Sequence, residues 1–340
     1  YDTTLQPERD ALAAHARAGD VVVLHDPQTA GLAEHAKQLG CKVVWRCHVG
    51  LDEQNDFSRI GWEFLRPYLE PFVDHYVFSD RRFAPEWVSP DRLSVIWPSI
   101  DPFAPRNQGL DDAPVEAILT PVGLIAGTAG DPVFERTGGA PGRVELMCDV
   151  VRTGPPPGPD VPLVVQISRW DSMKDKVGVM QAFAAYVDSG RTAQLVLAGP
   201  VVSAVADDPE GAQVLQDCWN QWRQVPHSVR CRIQLACLPM HDLEENAVIV
   251  NALQRHAHVV AQKSLAEGFG LTAAEAMLKG TPVVASAVGG LVDQVIDGES
   301  GLLVQDPTDL EEFGTAVCRI LDDDEFRRRL GEGARARAVD

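Results

Sequence analysis

The sequence predicts an α/β protein of two parallel-sheet domains, and three observations carry that prediction. Short apolar runs alternate with helix-like segments near both ends of the chain, which is the pattern of βαβ units. Several of these runs are apolar on both faces, as expected for strands covered by helices on each side. Between the two series, residues 106–161 contain GTAGDP, TGGAPG and TGPPPGPD, a density of glycine and proline that interrupts regular structure. A length of 340 residues suits about two domains of roughly 150 residues each.

The elements follow in order. A first domain over 1–105 is expected to hold strands at Val21 to Leu24, Val43 to Cys47 and Tyr76 to Phe78, with another near Leu93 to Ile96. Residues 106–161 read as a Gly/Pro-rich linker region with a short helix around Val115 to Val122. A second domain over 162–340 is expected to place strands at Leu163 to Ile167, Leu195 to Ala198, Ile233 to Ala236, Val259 to Gln262, Pro282 to Ala285 and Leu302 to Val304. Two open parallel sheets joined this way predict a cleft at the strand carboxyl ends, so functional residues should lie just after strands.

Composition excludes several classes. Apolar residues are 45% and charged residues 23% of the chain, which is ordinary for a globular protein and unlike a disordered one. No run approaches the roughly eighteen uninterrupted apolar residues of a membrane span, and the start YDTTLQPERD lacks a signal-peptide core; the expectation is a soluble, cytoplasmic protein. Thirty basic against forty-nine acidic side chains leave a net charge of −19, which opposes nucleic acid and anionic membranes as partners. An anionic small ligand must then be held by a few local cations. The seven cysteines include no CxxC, so neither a disulfide framework nor a zinc site is indicated, and no metal is expected.

The chemistry concentrates after two strands of the second domain. After Val259 comes QKSLAEGFGLTAAEAMLKGTPVVASAVGG, in which Gly268 and Gly270 strip side chains from the backbone and Leu271 begins a helical run carrying Glu275. A glycine-flanked loop feeding a helix start offers free amides and a positive dipole to a diphosphate; the candidate donors are Gly270, Leu271 and Thr272. Glu267 and Glu275 flank that start and could each meet a hydroxyl-rich group, sugar or ribose. Two isolated glutamates would read as a helix-dipole partner and a solvated helix residue, and the glycine pair between them reverses that preference. The strand at Leu163 ends in QISRWDSMKDK, placing Arg169 and Lys174 five residues apart. A planar fork beside a mobile point charge suits a diphosphate whose charge grows as it leaves, whereas two exposed cations alone would only aid solubility. In the first domain His25 and Asp26 follow one strand and His48 follows the next, polar groups at two strand ends that suit a sugar.

Taken together, EGFGLTAAE and AVGGLVDQVIDGESGLLV resemble the donor site of retaining, GT-B fold glycosyltransferases of family 4, marked by two glutamates separated by seven residues. HDPQTAGL, WRCHVGLD, PSIDPFAPRN, ISRWDSMK, DDPEG (207–211), NALQRHAHVVAQKS and EGFGLT in this order resemble trehalose synthases that join a nucleoside-diphosphate glucose to glucose. The resemblance covers about 20–105 and 160–340. It implies that Glu267, with Gly268 and Phe269, contacts the donor glucose, that Glu275 contacts the ribose, and that Arg169 and Lys174 bind the diphosphate. His48 would approach the transferred sugar and Asp26 the acceptor. No cofactor is implied, since the nucleotide sugar is a substrate; glucose or trehalose is the other ligand, and a homo-oligomer is left open. Three departures stand out: the Gly/Pro-rich stretch at 106–161, Asp175 after Lys174 where the family often has Gly, and a chain that starts after the family's first strands and glycine-rich phosphate loop and stops before its final crossing helix. Fungal-type trehalose phosphorylases share the HDPQ-like and DDPEG-like segments, and a non-catalytic sugar- or nucleotide-binding module is the reading from another class.

Overall fold

The computed structural model describes residues 1–51, 54–128, 130–187, 190–204 and 210–339. Its contacts divide the chain into two compact units, one of Tyr1–Ser99 with Glu267–Phe269 and one of Ile100–Ala266 with Gly270–Asp340.

The first unit is built on a parallel sheet of β1 (Val21–His25), β2 (Lys42–Cys47), β3 (His75–Phe78) and β4 (Leu93–Val95), in the order β1-β2-β3-β4. The strands are those the apolar runs predict. The buried side chains alternate along β2, where Val43, Trp45 and Cys47 are sealed and Lys42 is exposed, as a period-2 pleat with one packed face requires. Trp45 anchors an aromatic cluster, with edge-on partners Phe78 at 5.9 Å and Trp62 at 6.1 Å. Trp62 comes from the helix Asp56–Leu69, whose start is closed by a reciprocal capping box between Asn55 and Ser58.

The second unit is a seven-stranded sheet. After the short hairpin β5 (Val133–Glu135) and β6 (Pro141–Arg143), the strands are β7 (Asp149–Val151), β8 (Leu163–Ile167), β9 (Gln194–Pro200), β10 (Ile233–Leu238), β11 (Val259–Gln262), β12 (Val283–Ser286) and β13 (Leu302–Val304). Their order is β13-β12-β11-β8-β9-β10-β7, parallel throughout except for β7. Counted from β8, the parallel strands run 3-2-1-4-5-6, the doubly wound arrangement whose order reverses between β8 and β11. All five residues of β8 and all four of β11 are buried, because separate apolar clusters cover the two faces of the sheet.

Residues 106–161, expected as a linker region, carry regular structure. The helix Asp112–Leu119 buries Val115, Ile118 and Leu119 in the same core as Val248, Ile249 and Ala252. β7 pairs antiparallel with β10, Asp149 opposite Cys237 and Val151 opposite Leu235. The β5–β6 hairpin is tied down by Arg136, which bonds Asp242 at 2.7 Å and Glu244 at 2.9 Å. The glycines and prolines mark the turns between these short pieces, and three-residue strands leave no periodic signal to read. All seven cysteines are free thiols, four of them buried. Among the described residues no helix is long and apolar enough to cross a membrane.

Two sites in this unit separate their acid sensitivities. His258, whose backbone N–H donates to Leu163 O at 2.9 Å, has its imidazole pushed down to about 4 by burial, with Arg327 and His256 adding to the effect. Asp242 is held at about 2, chiefly by Arg136. The unfolded histidine takes up a proton near pH 6.5, so the unfolded state binds more protons below that value, and stability falls as pH drops from 6.5 toward 4. The stabilising contribution of Asp242 is present above its unfolded value of about 3.9 and fades only below it. The urea midpoint of the chain is therefore expected to fall between pH 7 and 5, and to fall less in His258→Gln; equal losses in the two proteins would remove His258 as the cause.

Candidate functional site

The chemistry-bearing loops of the second unit follow β8 and β11, the two strands on either side of the reversal. Gly270 has φ 93° and ψ 50°, a left-handed conformation open to glycine, and from it the helix Leu271–Leu278 departs. The Gly270 carbonyl accepts from Ala273 at 2.9 Å, so the first turn is formed and the amides of Leu271 and Thr272 head the helix without intrahelical acceptors. Leu271 is exposed and Thr272 partly so. Glu275 sits one turn in and is buried, 8% exposed.

After β8, Asp171 caps a short turn at Ser172–Lys174, accepting the Met173 N–H at 2.8 Å. Arg169 lies at the surface with a guanidinium N–H 3.2 Å from Asp171. The Lys174 carbonyl accepts from the amide of Gln166 at 2.5 Å; Gln166 is a buried polar residue inside β8, and this bond accounts for it. The two loops touch. The Leu265 N–H donates to the carbonyl of Met173 at 2.8 Å, and Lys263 pairs with Asp175. Arg169, Lys174, Gly270, Leu271, Thr272 and Glu275 thus belong to one unit and follow two adjoining strands of one sheet, the last three on the helix Leu271–Leu278.

Around Glu275 the structure gathers groups that the sequence reading passed over. Arg106 approaches its carboxylate, Nη1 to Oε2 at 3.7 Å, and Oε2 is buried without a hydrogen-bond partner. Lys279 donates to the Glu275 carbonyl at 3.1 Å and to Asn107 Oδ1 at 3.0 Å. Burial pushes the Glu275 carboxyl up, while Arg106 and Lys279 pull it back; burial pushes the Lys279 ammonium down, against the attraction of Glu275. Arg106 reaches the helix because Asn251 holds the chain on both sides of it, donating to Pro105 O at 3.0 Å and Gln108 O at 2.9 Å. Lys279 had a legible signal, since positions four apart share a helix face. Arg106 had none, because its place depends on contacts distant in sequence.

In the first unit, β1 and β2 end side by side and bring His25, Asp26 and His48 together. Asp26 Oδ1 accepts the His48 N–H at 2.7 Å, and the Asp26 carbonyl accepts from Trp45 Nε1 at 3.1 Å. His25 Nδ1 lies 3.0 Å from His48 Nε2, their rings stacked. Burial lowers the His48 imidazole, partly offset by Asp26, so its neutral form, able both to donate and to accept, is favoured. Among the described residues only Asp26 and Asp175 are non-glycine positions with positive φ, 62° and 44°. Such strain persists where the surroundings over-determine the backbone, commonly at functional positions.

Glu267, Gly268 and Phe269 group with the first unit and are partly buried. Asp207, Asp208 and Pro209 of DDPEG, Asp52 of WRCHVGLD and Ala129 of GTAGDP lie outside the described residues. Glu210 of DDPEG accepts the Ser172 N–H at 3.3 Å, at the loop that carries Arg169 and Lys174.

Residues 1–85 match the family model described as "Trehalose synthase, N-terminal domain" and residues 243–337 match "Glycosyl transferases group 1". The trehalose synthase of Rubrobacter xylanophilus is 32% identical over 333 residues, 97% of this chain and 68% of that protein. The trehalose synthase of Pyrococcus horikoshii is 32% identical over 322 residues, 94% of this chain and 64% of that protein. The chain therefore spans about two thirds of the length of these relatives. Among solved structures, HepE of Anabaena in complex with UDP and glucose has a TM-score of 0.73 at 15% identity, covering 99% of this chain and 77% of that one. Sucrose-phosphate synthase from Thermosynechococcus elongatus has a TM-score of 0.69 at 22% identity, covering 99% and 74%. The fold is α/β of the GT-B class with two Rossmann-like parallel sheets, and the chain belongs to the trehalose synthase family of glycosyltransferases.

Proposed function

We propose that the chain carries the catalytic groups of a retaining glucosyltransferase that joins a nucleoside-diphosphate glucose to glucose, forming trehalose. The observation that carries this reading is the adjoining pair of loops at the strand-order reversal, where Met173 of the Arg169–Lys174 loop is bonded to Leu265 in the segment that leads from β11 toward Gly270. In this reading Arg169 and Lys174 bind the diphosphate with the amides of Leu271 and Thr272, and Glu275 takes the ribose hydroxyls. Glu267 holds the donor glucose. His48, kept neutral, bonds the transferred sugar, and the Asp26 oxygen not used by the His48 amide accepts from the acceptor glucose.

In this scheme the C1–O bond to the diphosphate breaks first and leaves oxocarbenium character at the anomeric carbon. The cations stabilise the growing charge on the leaving group. The acceptor hydroxyl attacks from the face being vacated and passes its proton to the leaving phosphate oxygen, so that no protein base is needed on the opposite face and the anomeric configuration is kept. The reading is supported by the trehalose synthase relatives and, for sugar-nucleotide chemistry on this fold, by a neighbour whose structure holds UDP and glucose.

The test is incubation of the chain with UDP-, ADP-, GDP- or TDP-glucose plus glucose, following trehalose by NMR. Expected is α,α-linked product from at least one donor. Trehalose cleavage by orthophosphate with no activity from any nucleotide sugar would replace the reading with phosphorolysis; nucleotide or sugar binding without turnover would replace it with a binding module.

A further inference from the structure

Asp175 occupies a costly position for three reasons at once. Its φ of 44° and ψ of 48° are left-handed, a conformation that disfavours any residue with a Cβ. Its carboxylate nevertheless caps the helix Lys176–Ala182, Oδ1 accepting the Gly178 N–H at 3.0 Å. That approach requires glycine at 178, because a Cβ there would stand 2.1 Å from Asp175 Oδ2. The same Oδ2 pairs with the ammonium of Lys263, a side chain with no solvent exposure. Lys263 donates in addition to the carbonyl of Pro307 at 2.7 Å.

These three residues come from the loops after β8, β11 and β13, strands that are not consecutive in the chain. A buried ammonium deprived of its carboxylate is strongly unfavourable, so the pair resists separation of the loops that carry it. Lys174 immediately precedes Asp175, and Lys263 immediately precedes the SLAEG segment leading to Glu267. The Leu265 N–H to Met173 O bond lies between the two.

We infer that Asp175 and Lys263 are a positioning pair for sugar transfer: their ion pair, whose ammonium is buried, locks the Arg169–Lys174 loop onto the strand end that feeds the Glu267 and Gly270 loop, fixing the diphosphate-binding cations against the helix start. Neither residue touches substrate in this role. The inference rests on the reading of Arg169 and Lys174 as diphosphate ligands. It also accounts for an aspartate with left-handed backbone where glycine would be unstrained: the carboxylate is what the position needs.

Three variants and two readouts test it. Asp175→Gly keeps the backbone conformation and removes the carboxylate, Lys263→Met removes the ammonium, and the double variant leaves no unpaired charge. Amide hydrogen exchange, which needs no turnover, is expected to accelerate across 263–272 in both single variants. With the nucleotide sugar that the wild type uses, kcat is expected to fall at least tenfold in each single variant, with the KM for glucose within about twofold. The double variant is expected to regain thermal stability relative to Lys263 left unpaired, without regaining kcat. If kcat instead follows thermal stability and returns in the double variant, or if exchange across 263–272 is unchanged in Asp175→Gly, the pair is only structural and the inference fails. A wild-type chain that turns over no nucleotide sugar overturns the functional reading, while the exchange measurement still decides whether the pair couples the loops.

Discussion

Lys174→Ala is expected to lower turnover by about 2 to 5 kcal/mol of transition-state stabilisation, roughly 30-fold to several thousand-fold, while leaving the fold intact. The magnitude follows from where the charge acts. A lysine on an open surface contributes little to anything, but one that meets a diphosphate beside a helix start opposes charge that grows as the C–O bond breaks, with much of the water excluded by substrate. The backbone of Lys174 is held from both directions, its carbonyl by Gln166 and its N–H by the Asp171 carbonyl at 3.0 Å. Truncation beyond Cβ therefore removes the ammonium without releasing the loop. The measurement is kcat with the preferred nucleotide sugar alongside a thermal melt. Arg169 and Lys174 supply the positive charge in this scheme, so wild-type turnover is also expected to survive a chelator. Unchanged kcat in the variant, or complete loss of wild-type turnover in chelator, would sink the assignment.

Glu267→Gln is expected to lose about 1.5 to 3 kcal/mol, the range of a hydrogen bond to a charged group, and to accumulate no covalent glucose in either protein. The amide keeps the size of the side chain but cannot accept from hydroxyls on both of its heavy atoms, so it weakens the hold on donor-sugar hydroxyls. Glu267 precedes Gly268 and stands three residues before Gly270, from which the helix departs, the end assigned to the diphosphate. A nucleophile would have to stand on the other side of the sugar ring, opposite the leaving group. Intact-mass and peptide mass spectrometry during turnover provide the check. A glucosyl adduct on Glu267 would establish double displacement and overturn the direct mechanism.

What the amino-acid order determined by itself is local. Each parallel strand of the two sheets coincides with an apolar run, whether it is buried along its whole length, as β8 and β11 are, or packs one face, as β2 does, and each candidate loop falls after such a run. Asp26 and His48 follow β1 and β2, Arg169 and Lys174 follow β8, and Glu267 to Glu275 follow β11. A short helix was also legible, around Val115 to Val122, and the folded chain has it at Asp112–Leu119. Pairing over long separations was not. The antiparallel β7 is three residues long and is a strand only because β10 offers it an edge; the β5–β6 hairpin depends on Arg136 finding Asp242 and Glu244.

The polar partners followed the same division. Glu275 could be picked out by its spacing from Glu267, but the Arg106 guanidinium at 3.7 Å from it arrives through a segment pinned by Asn251 and Arg255. Asp175 read as a departure from glycine, and only the folded chain supplies Lys263, 88 residues away, as its partner. Periodicity records which face of an element is buried. Which charge meets which across the sheet is decided by strand order, since the reversal between β8 and β11 sets their loops side by side, and a sequence carries no short-range mark of that order.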